Sequence, residues 1–180
     1  KWIRNANLNY MVPFHEKDKH NYDLDCRLLK RYFTRGSFKS GGRLFGGFWQ
    51  QLKKGHRENL LIDGENIVVL DYSQMTPKIL YGYCGSVPQM EDCYHIKGYE
   101  YCRKGIKKVF NAMTFSNEPM TRFPKGINSL FPVNTRFKDV SDAIENEHSG
   151  IAHMFYTGIG HYLQFMESQN TSGGTLKAHR

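Results

Sequence analysis

The run Ile67-Val68-Val69-Leu70 is apolar throughout and stops on a carboxylate, Asp71. A short apolar run bounded by turn residues reads as a strand covered on both faces. Just upstream, Asn59 to Ile62 forms a second β-rich run, and Asp63-Gly64 between the two is a pair suited to a tight hairpin turn. Downstream, Pro77 falls where the first turn of a helix tolerates proline, and Ile79, Leu80 and Tyr83 continue a short helix to Gly85. The unit is strand, carboxylate, helix, and it demands a sheet with a helix packed beside it. The remaining elements must be compatible with that unit.

Upstream, Leu24, Leu28, Leu29, Tyr32 and Phe33 recur at helical spacing, so Tyr22 to Arg35 is expected to be a helix stopped by Gly36. The glycine-rich stretch Gly36 to Gly47 is a loop or an irregular strand. A second helix is expected from about Tyr99 to Phe115. Its apolar face is Cys102, Ile106, Val109, Phe110 and Met113, and Arg103, Lys107 and Asn111 lie on another stripe at successive i, i+4 steps. Ser116 to Pro132 carries three prolines and reads as loop. Ile151, Met154, Phe155, Ile159, Tyr162, Leu163 and Met166 mark a third long helix, despite Gly158 and Gly160. The polar stretch Asn170 to Arg180 is expected to fray.

At 180 residues the chain suits one compact domain with an appendage. No apolar run approaches the ~20 residues of a membrane helix, so no membrane partner is expected. The opening Lys1-Trp2-Ile3-Arg4 has neither an initiator Met nor an apolar leader core, and the numbering is expected to open inside a longer reading frame. The net charge of +8 gathers between Lys17 and Lys108 and suits a polyanionic partner. Cys26, Cys84, Cys93 and Cys102 show no CxxC pair, and they read as buried free thiols of a reducing, cytoplasmic compartment.

Two features can carry chemistry. A carboxylate fixed at a strand end can hold Mg²⁺ for phosphoryl transfer, and Asp71 is so placed; an Asp there is also an ordinary turn or helix-cap residue. Arg103 and Lys107 on one helix face can grip a triphosphate, and Phe115 at the helix end can stack on a base. The plain alternative is a solvated basic face with a core aromatic.

Leu70-Asp71-Tyr72-Ser73-Gln74 resembles motif A of the family A DNA polymerases, where a strand ends in aspartate followed by Tyr-Ser-Gln and a helix. Arg103, Lys107 and Phe115 are similar to the arginine, lysine and aromatic of that superfamily's motif B, at the same spacing. Gly42-Arg43-Leu44, Gln50 or Gln51, and Arg57 resemble the Gly-Arg element, the glutamine and the arginine that precede motif A. The chain is also, more loosely, similar to the single-subunit phage RNA polymerases in the spacing of the arginine, lysine and aromatic and in the Gly-Arg element. The chain departs from the family pattern at Thr76, where a sugar-discriminating glutamate is usual, and at Asn111, Ala112 and Ser116 in motif B. The His-Asp pair of motif C, which supplies the second metal-binding aspartate, does not occur in these 180 residues.

The resemblance implies an α/β (α+β) palm piece carrying a mostly helical fingers piece. Residues 1–86 would be partial palm, 87–169 fingers-like, and 170–180 a frayed tail. It implies a fragment of a template-directed nucleotidyltransferase of phage or mobile-element type, inactive as given because the second catalytic aspartate is missing. Asp71 would be catalytic and bind Mg²⁺, with Tyr72 offering its backbone carbonyl; Arg103, Lys107 and Phe115 would hold the nucleoside triphosphate; Arg43, Gln50 and Arg57 would contact a DNA template–primer, with RNA also open. Two other readings stay open: a non-catalytic nucleic-acid-binding module or decayed polymerase, and an unrelated basic domain.

Overall fold

The computed structural model of the chain describes residues 8–10, 23–68 and 72–173. Over these residues the protein is mixed α/β, with five α-helices and two small sheets. The strands are β1 (Leu8–Tyr10), β2 (Lys30–Thr34), β3 (Ser37–Phe45), β4 (Leu60–Ile62) and β5 (Glu65–Asn66). The helices are α1 (Lys54–Arg57), α2 (Met75–Tyr83), α3 (Arg103–Phe115), α4 (Phe137–Glu147) and α5 (Gly160–Gly173). Two compact units result. Among the described residues the first holds 8–10, 23–32 and 43–68, and the second holds 33–42 and 72–173.

In the first unit β4 lies between β1 and β5, antiparallel to both, with Leu8 opposite Ile62 and Ile62 opposite Glu65. Asp63 (φ 54°) and Gly64 (φ 83°) both take the left-handed conformation that a two-residue hairpin turn requires. The hairpin expected around Asp63-Gly64 is therefore present. Its second strand is not where the sequence places it: β5 is Glu65–Asn66, and in the expected run Ile67 and Val68 lie outside any strand, Val68 being 83% exposed instead of covered on both faces. β5 is an edge strand of a three-stranded sheet, and among the described residues no second layer covers Val68. Val69, Leu70 and Asp71, the expected end of that strand, lie outside the described residues. Phe48, Leu52 and Leu60 form this unit's core, with Leu24, Trp49, Ile62 and Ile67 packed against it.

The helix expected over Tyr22 to Arg35 is not formed in its described part. Lys30–Thr34 is instead a strand paired with β3. The apolar positions keep a helical period rather than alternating, and the turn overrides it: Arg35 (φ 55°) and Gly36 (φ 62°) are both left-handed, so the chain reverses as a hairpin where a helix stop was expected. The glycine-rich stretch is accordingly a strand, β3, bent where Gly41 and Gly42 both have φ 82°.

The second unit is built around α3. Cys102, Ile106, Val109, Phe110 and Met113 are all buried, as the sequence periodicity predicts. α4 and α5 pack on this helix, and α2 packs on α5, where Tyr83 and Tyr162 meet edge to face. α4 is an element the sequence reading missed, although Phe137, Val140, Ser141 and Ile144 bury one helical stripe. The third long helix is broken. Only Gly160–Gly173 is α-helical; Ala152–Met154 is a 3₁₀ turn, and Tyr156 (φ 60°) and Gly158 (φ 70°) are left-handed. The break has a purpose in the packing of α3. The Tyr156 and Gly158 N–H groups donate to the carbonyls of Met113 (2.8 Å) and Ser116 (2.7 Å), satisfying acceptors that the end of α3 leaves open. Residues 174–180, most of the expected frayed tail, lie outside the described residues.

The four cysteines are free thiols, but they are not all buried. Cys93 and Cys102 are buried, Cys84 is half-buried, and Cys26 is exposed with its thiol donating to Asp23 Oδ2 at 3.2 Å. Among the described residues no helix is long and apolar enough to cross a membrane.

One buried polar network ties the second unit together. His148 is fully buried; its Nδ1 accepts the Tyr81 hydroxyl at 2.9 Å, and its Nε2–H donates to the Cys93 carbonyl at 2.8 Å. Burial pulls the imidazole below its ordinary value of 6.5, against the opposing pull of the Cys93 carbonyl. The unfolded chain thus binds a proton near pH 6.5 that the folded chain refuses. The stability His148 contributes is full above about pH 6.5 and is lost progressively as the pH falls toward the depressed folded value. Thermal melts followed by helical circular dichroism should therefore show Tm falling between pH 7.5 and 5. His148→Gln should flatten that slope, leaving the contribution of His161, which burial and Arg35 also depress. Asp92 and Asp139, whose carboxyls sit below their usual range, matter only in stronger acid. An unchanged slope in His148→Gln would show that the imidazole is not held neutral.

Candidate functional site

α3 begins where a 3₁₀ turn, Glu100–Cys102, delivers the chain into the helix, so Arg103 is its first residue. Burying the Ile106, Val109 and Phe110 stripe turns Arg103, Lys104, Lys107 and Lys108 outward, and all four are exposed. Arg103 and Lys107 share a support. The Arg103 guanidinium carbon lies 5.5 Å, and Lys107 Nζ 5.9 Å, from the centroid of the Tyr94 ring. Cations within about 6 Å of a ring face are attracted by its quadrupole. Tyr94 itself is 2% exposed and meets Phe110 edge to face at 5.8 Å. Burial pushes its phenol up to about 12, so the ring stays neutral at ordinary pH.

Arg103 is further fixed by a two-point ion pair. Its Nε and Nη2 donate to the two carboxylate oxygens of Asp92, the second at 3.2 Å. The Arg103 guanidinium holds the Asp92 carboxyl below its usual range, so the pair stays ionised at neutral pH. The side-on grip uses one edge of the guanidinium, that of Nε and Nη2, and no hydrogen bond from Nη1 is made among the described residues. Further along the same stripe, Asn111 Oδ1 is buried and accepts no hydrogen bond among the described residues. Phe115, at the far end of α3, packs edge to face on His161 at 4.9 Å. Gly160 leaves room for that ring, because a Cβ there would come within 2.7 Å of it.

The structure therefore brings Arg103 and Lys107 together over one ring, and it seats Phe115 in contact with the start of α5. Gln74, from the Tyr72-Ser73-Gln74 string, reaches the same neighbourhood. Its Nε2 donates to the Glu91 carbonyl at 3.1 Å and its Oε1 accepts the Cys93 N–H at 2.7 Å, bracketing Asp92. Asp92, Tyr94 and the bracketing role of Gln74 escaped sequence reasoning, because residues 86–99 carry no periodicity to place them. Tyr72 is 66% exposed.

Arg43, Gln50 and Arg57 belong to the first unit. The Gln50 side chain closes a bend, donating to the Leu44 carbonyl at 2.8 Å and accepting the Gly46 N–H at 3.0 Å. Arg57 donates from Nε to the Leu52 carbonyl at 3.0 Å and from Nη2 to the Gln50 carbonyl at 3.2 Å. These two side chains thus shape the 44–57 segment, and Arg43 is exposed beside it in sequence. Asp71 lies outside the described residues. Among the described residues no cluster of three or more His, Cys, Asp or Glu side chains is placed to hold a metal ion. Comparison with family models, with curated proteins and with solved structures finds no match for this chain.

Proposed function

We propose that this chain is a palm-and-fingers portion of a template-directed nucleotidyltransferase, and that its α3 face grips the phosphates of an incoming nucleoside triphosphate. The observation that carries the reading is the seating of Arg103 and Lys107 over the buried Tyr94 ring. Two cations one helical turn apart, held on a rigid support, suit a polyphosphate better than a single carboxylate. In this reading Phe115 stacks beside the nascent base pair, and Arg43, Gln50 and Arg57 lie along a DNA template–primer. Asp71, with the Tyr72 carbonyl, would hold Mg²⁺, which supplies charge for phosphoryl transfer; that part of the reading rests on the sequence resemblance.

The test needs no turnover. A primer–template should bind the chain with an affinity that falls steeply with salt, as expected of a protein of net charge +8. The next complementary deoxynucleoside triphosphate should then slow release of the primer–template, and a non-complementary one should not. Nucleic-acid binding with no response to any triphosphate would favour a non-catalytic binding module, and absence of both would overturn the proposal.

A further inference from the structure

Arg103 is offered to its ligand by a chain of contacts that starts in a different element. Gln74 precedes α2 with φ 57°, a left-handed conformation that is unfavourable for a non-glycine residue. Its amide makes two hydrogen bonds, one to the carbonyl before Asp92 and one to the N–H after it. Asp92 is thereby held at both flanking peptides. Its carboxylate in turn accepts the Tyr94 N–H at 3.0 Å while gripping Arg103 side-on. The same short loop therefore sets both the ring beneath Arg103 and the anion beside it.

We infer that Asp92 is a positioning residue for Arg103, and that Gln74 positions Asp92. The inference rests on the nucleotide reading of α3 only for the ligand's identity. A guanidinium on an exposed helix start would otherwise sample many rotamers, and ordering it on binding would weaken the complex. Held by Nε and Nη2, it presents its remaining N–H groups in one direction, ready for a phosphate oxygen. Because the Asp92 charge cancels that of Arg103, the residue contributes direction more than net charge, and Lys107 supplies the uncompensated cation of the pair. The string Tyr72-Ser73-Gln74 is in this way connected to the phosphate-gripping helix through a single bracketed loop.

The arginine Nε–H resonance of the full chain, labelled with ¹⁵N-arginine, tests the relay directly. In the unaltered protein the Arg103 signal, assigned by its loss in Arg103→Lys, should be shifted and slow to exchange with water. Gln74→Gly removes the amide yet suits the positive φ, so it should fold and should lose that signature although Asp92 and Arg103 are intact. Asp92→Asn should lose it too. Gln74→Glu keeps the acceptor for the Cys93 N–H but not the donor, and it should be intermediate. Inorganic tripolyphosphate binding should weaken about tenfold in Gln74→Gly and in Asp92→Asn, the size of one charge-assisted hydrogen bond, and the double variant should be no worse than either alone. An unchanged Arg103 signal in folded Gln74→Gly would overturn the relay. Tighter tripolyphosphate binding by Asp92→Asn would overturn the positioning role and make Asp92 a mask. If the unaltered chain bound no tripolyphosphate, the nucleotide reading would fail, and the resonance comparison would still decide whether Gln74 sets Arg103.

Discussion

Replacing Lys107 with alanine is expected to weaken binding of a Mg²⁺-bound deoxynucleoside triphosphate by about 10- to 100-fold, the range of one hydrogen bond to a charged group. Stability should change by no more than about 0.5 kcal/mol, as for an exposed substitution away from core and caps. Lys107 is exposed, and alanine is the better helix former, so nothing in the packing of α3 depends on the ammonium. Its Nζ interacts with the face of Tyr94. That contact is worth about 0.5–1 kcal/mol at an exposed site, and the higher propensity of alanine offsets part of it. On the proposed reading a triphosphate would lose more, since Arg103 already shares its charge with Asp92. Lys107→Arg should restore charge but not geometry, because a planar fork cannot replace a compact ammonium one turn above Arg103. Isothermal titration with the folded variant checks the point, and unchanged affinity in Lys107→Ala would remove α3 as the phosphate grip.

The parts of this molecule that were legible in its sequence are those where one local signal had no competitor. α3 announced itself through five apolar positions that all proved buried, and its basic stripe followed from the same periodicity. The Asp63-Gly64 turn was equally direct, since few residue pairs suit two consecutive positive φ values. Where two signals competed, the local turn or a distant partner won. Leu28, Leu29, Tyr32 and Phe33 satisfy a helical period, yet Arg35-Gly36 closed a hairpin, with no Asn or Asp to advertise it. The break at Tyr156 and Gly158 was set by the open carbonyls at the end of α3, some forty residues away, and no window around residue 156 contains them. The candidate site divides in the same way. Arg103 and Lys107 were readable from helical spacing, whereas Asp92 and Tyr94 acquire their roles only through contacts that the Gln74 bracket and the packing of Phe110 create.

That dependence makes Phe110 the core position with the largest expected effect. The side chain is fully buried, and its ring meets three others edge to face: Tyr94 at 5.8 Å, His148 at 5.2 Å and Phe155 at 5.2 Å. Truncation to alanine removes the transfer free energy of a phenyl ring and leaves a cavity that a helix fixed by α4 and α5 cannot close, which together cost about 3–5 kcal/mol. A domain of ordinary stability holds only about 5–15 kcal/mol in total, so Phe110→Ala should lie near the edge of folding. Phe110→Leu keeps most of the apolar volume and loses chiefly the ring–ring geometry, about 0.5–1.5 kcal/mol per aromatic pair, so it should fold and can be assayed. In that milder variant Tyr94 loses its edge contact, and the support beneath Arg103 and Lys107 loosens. Tripolyphosphate affinity should then fall as well, although residue 110 faces away from the basic stripe. Urea unfolding followed by helical circular dichroism measures the first effect, because Trp49 belongs to the other unit and its fluorescence would report on that unit instead. A shift in midpoint at constant slope would place the loss in the folded core. A cost under about 1 kcal/mol for Phe110→Ala, well below the range for a buried phenyl ring, would mean that this cluster is far looser than its ring contacts imply. Full tripolyphosphate affinity in Phe110→Leu would separate the basic face from the core beneath it.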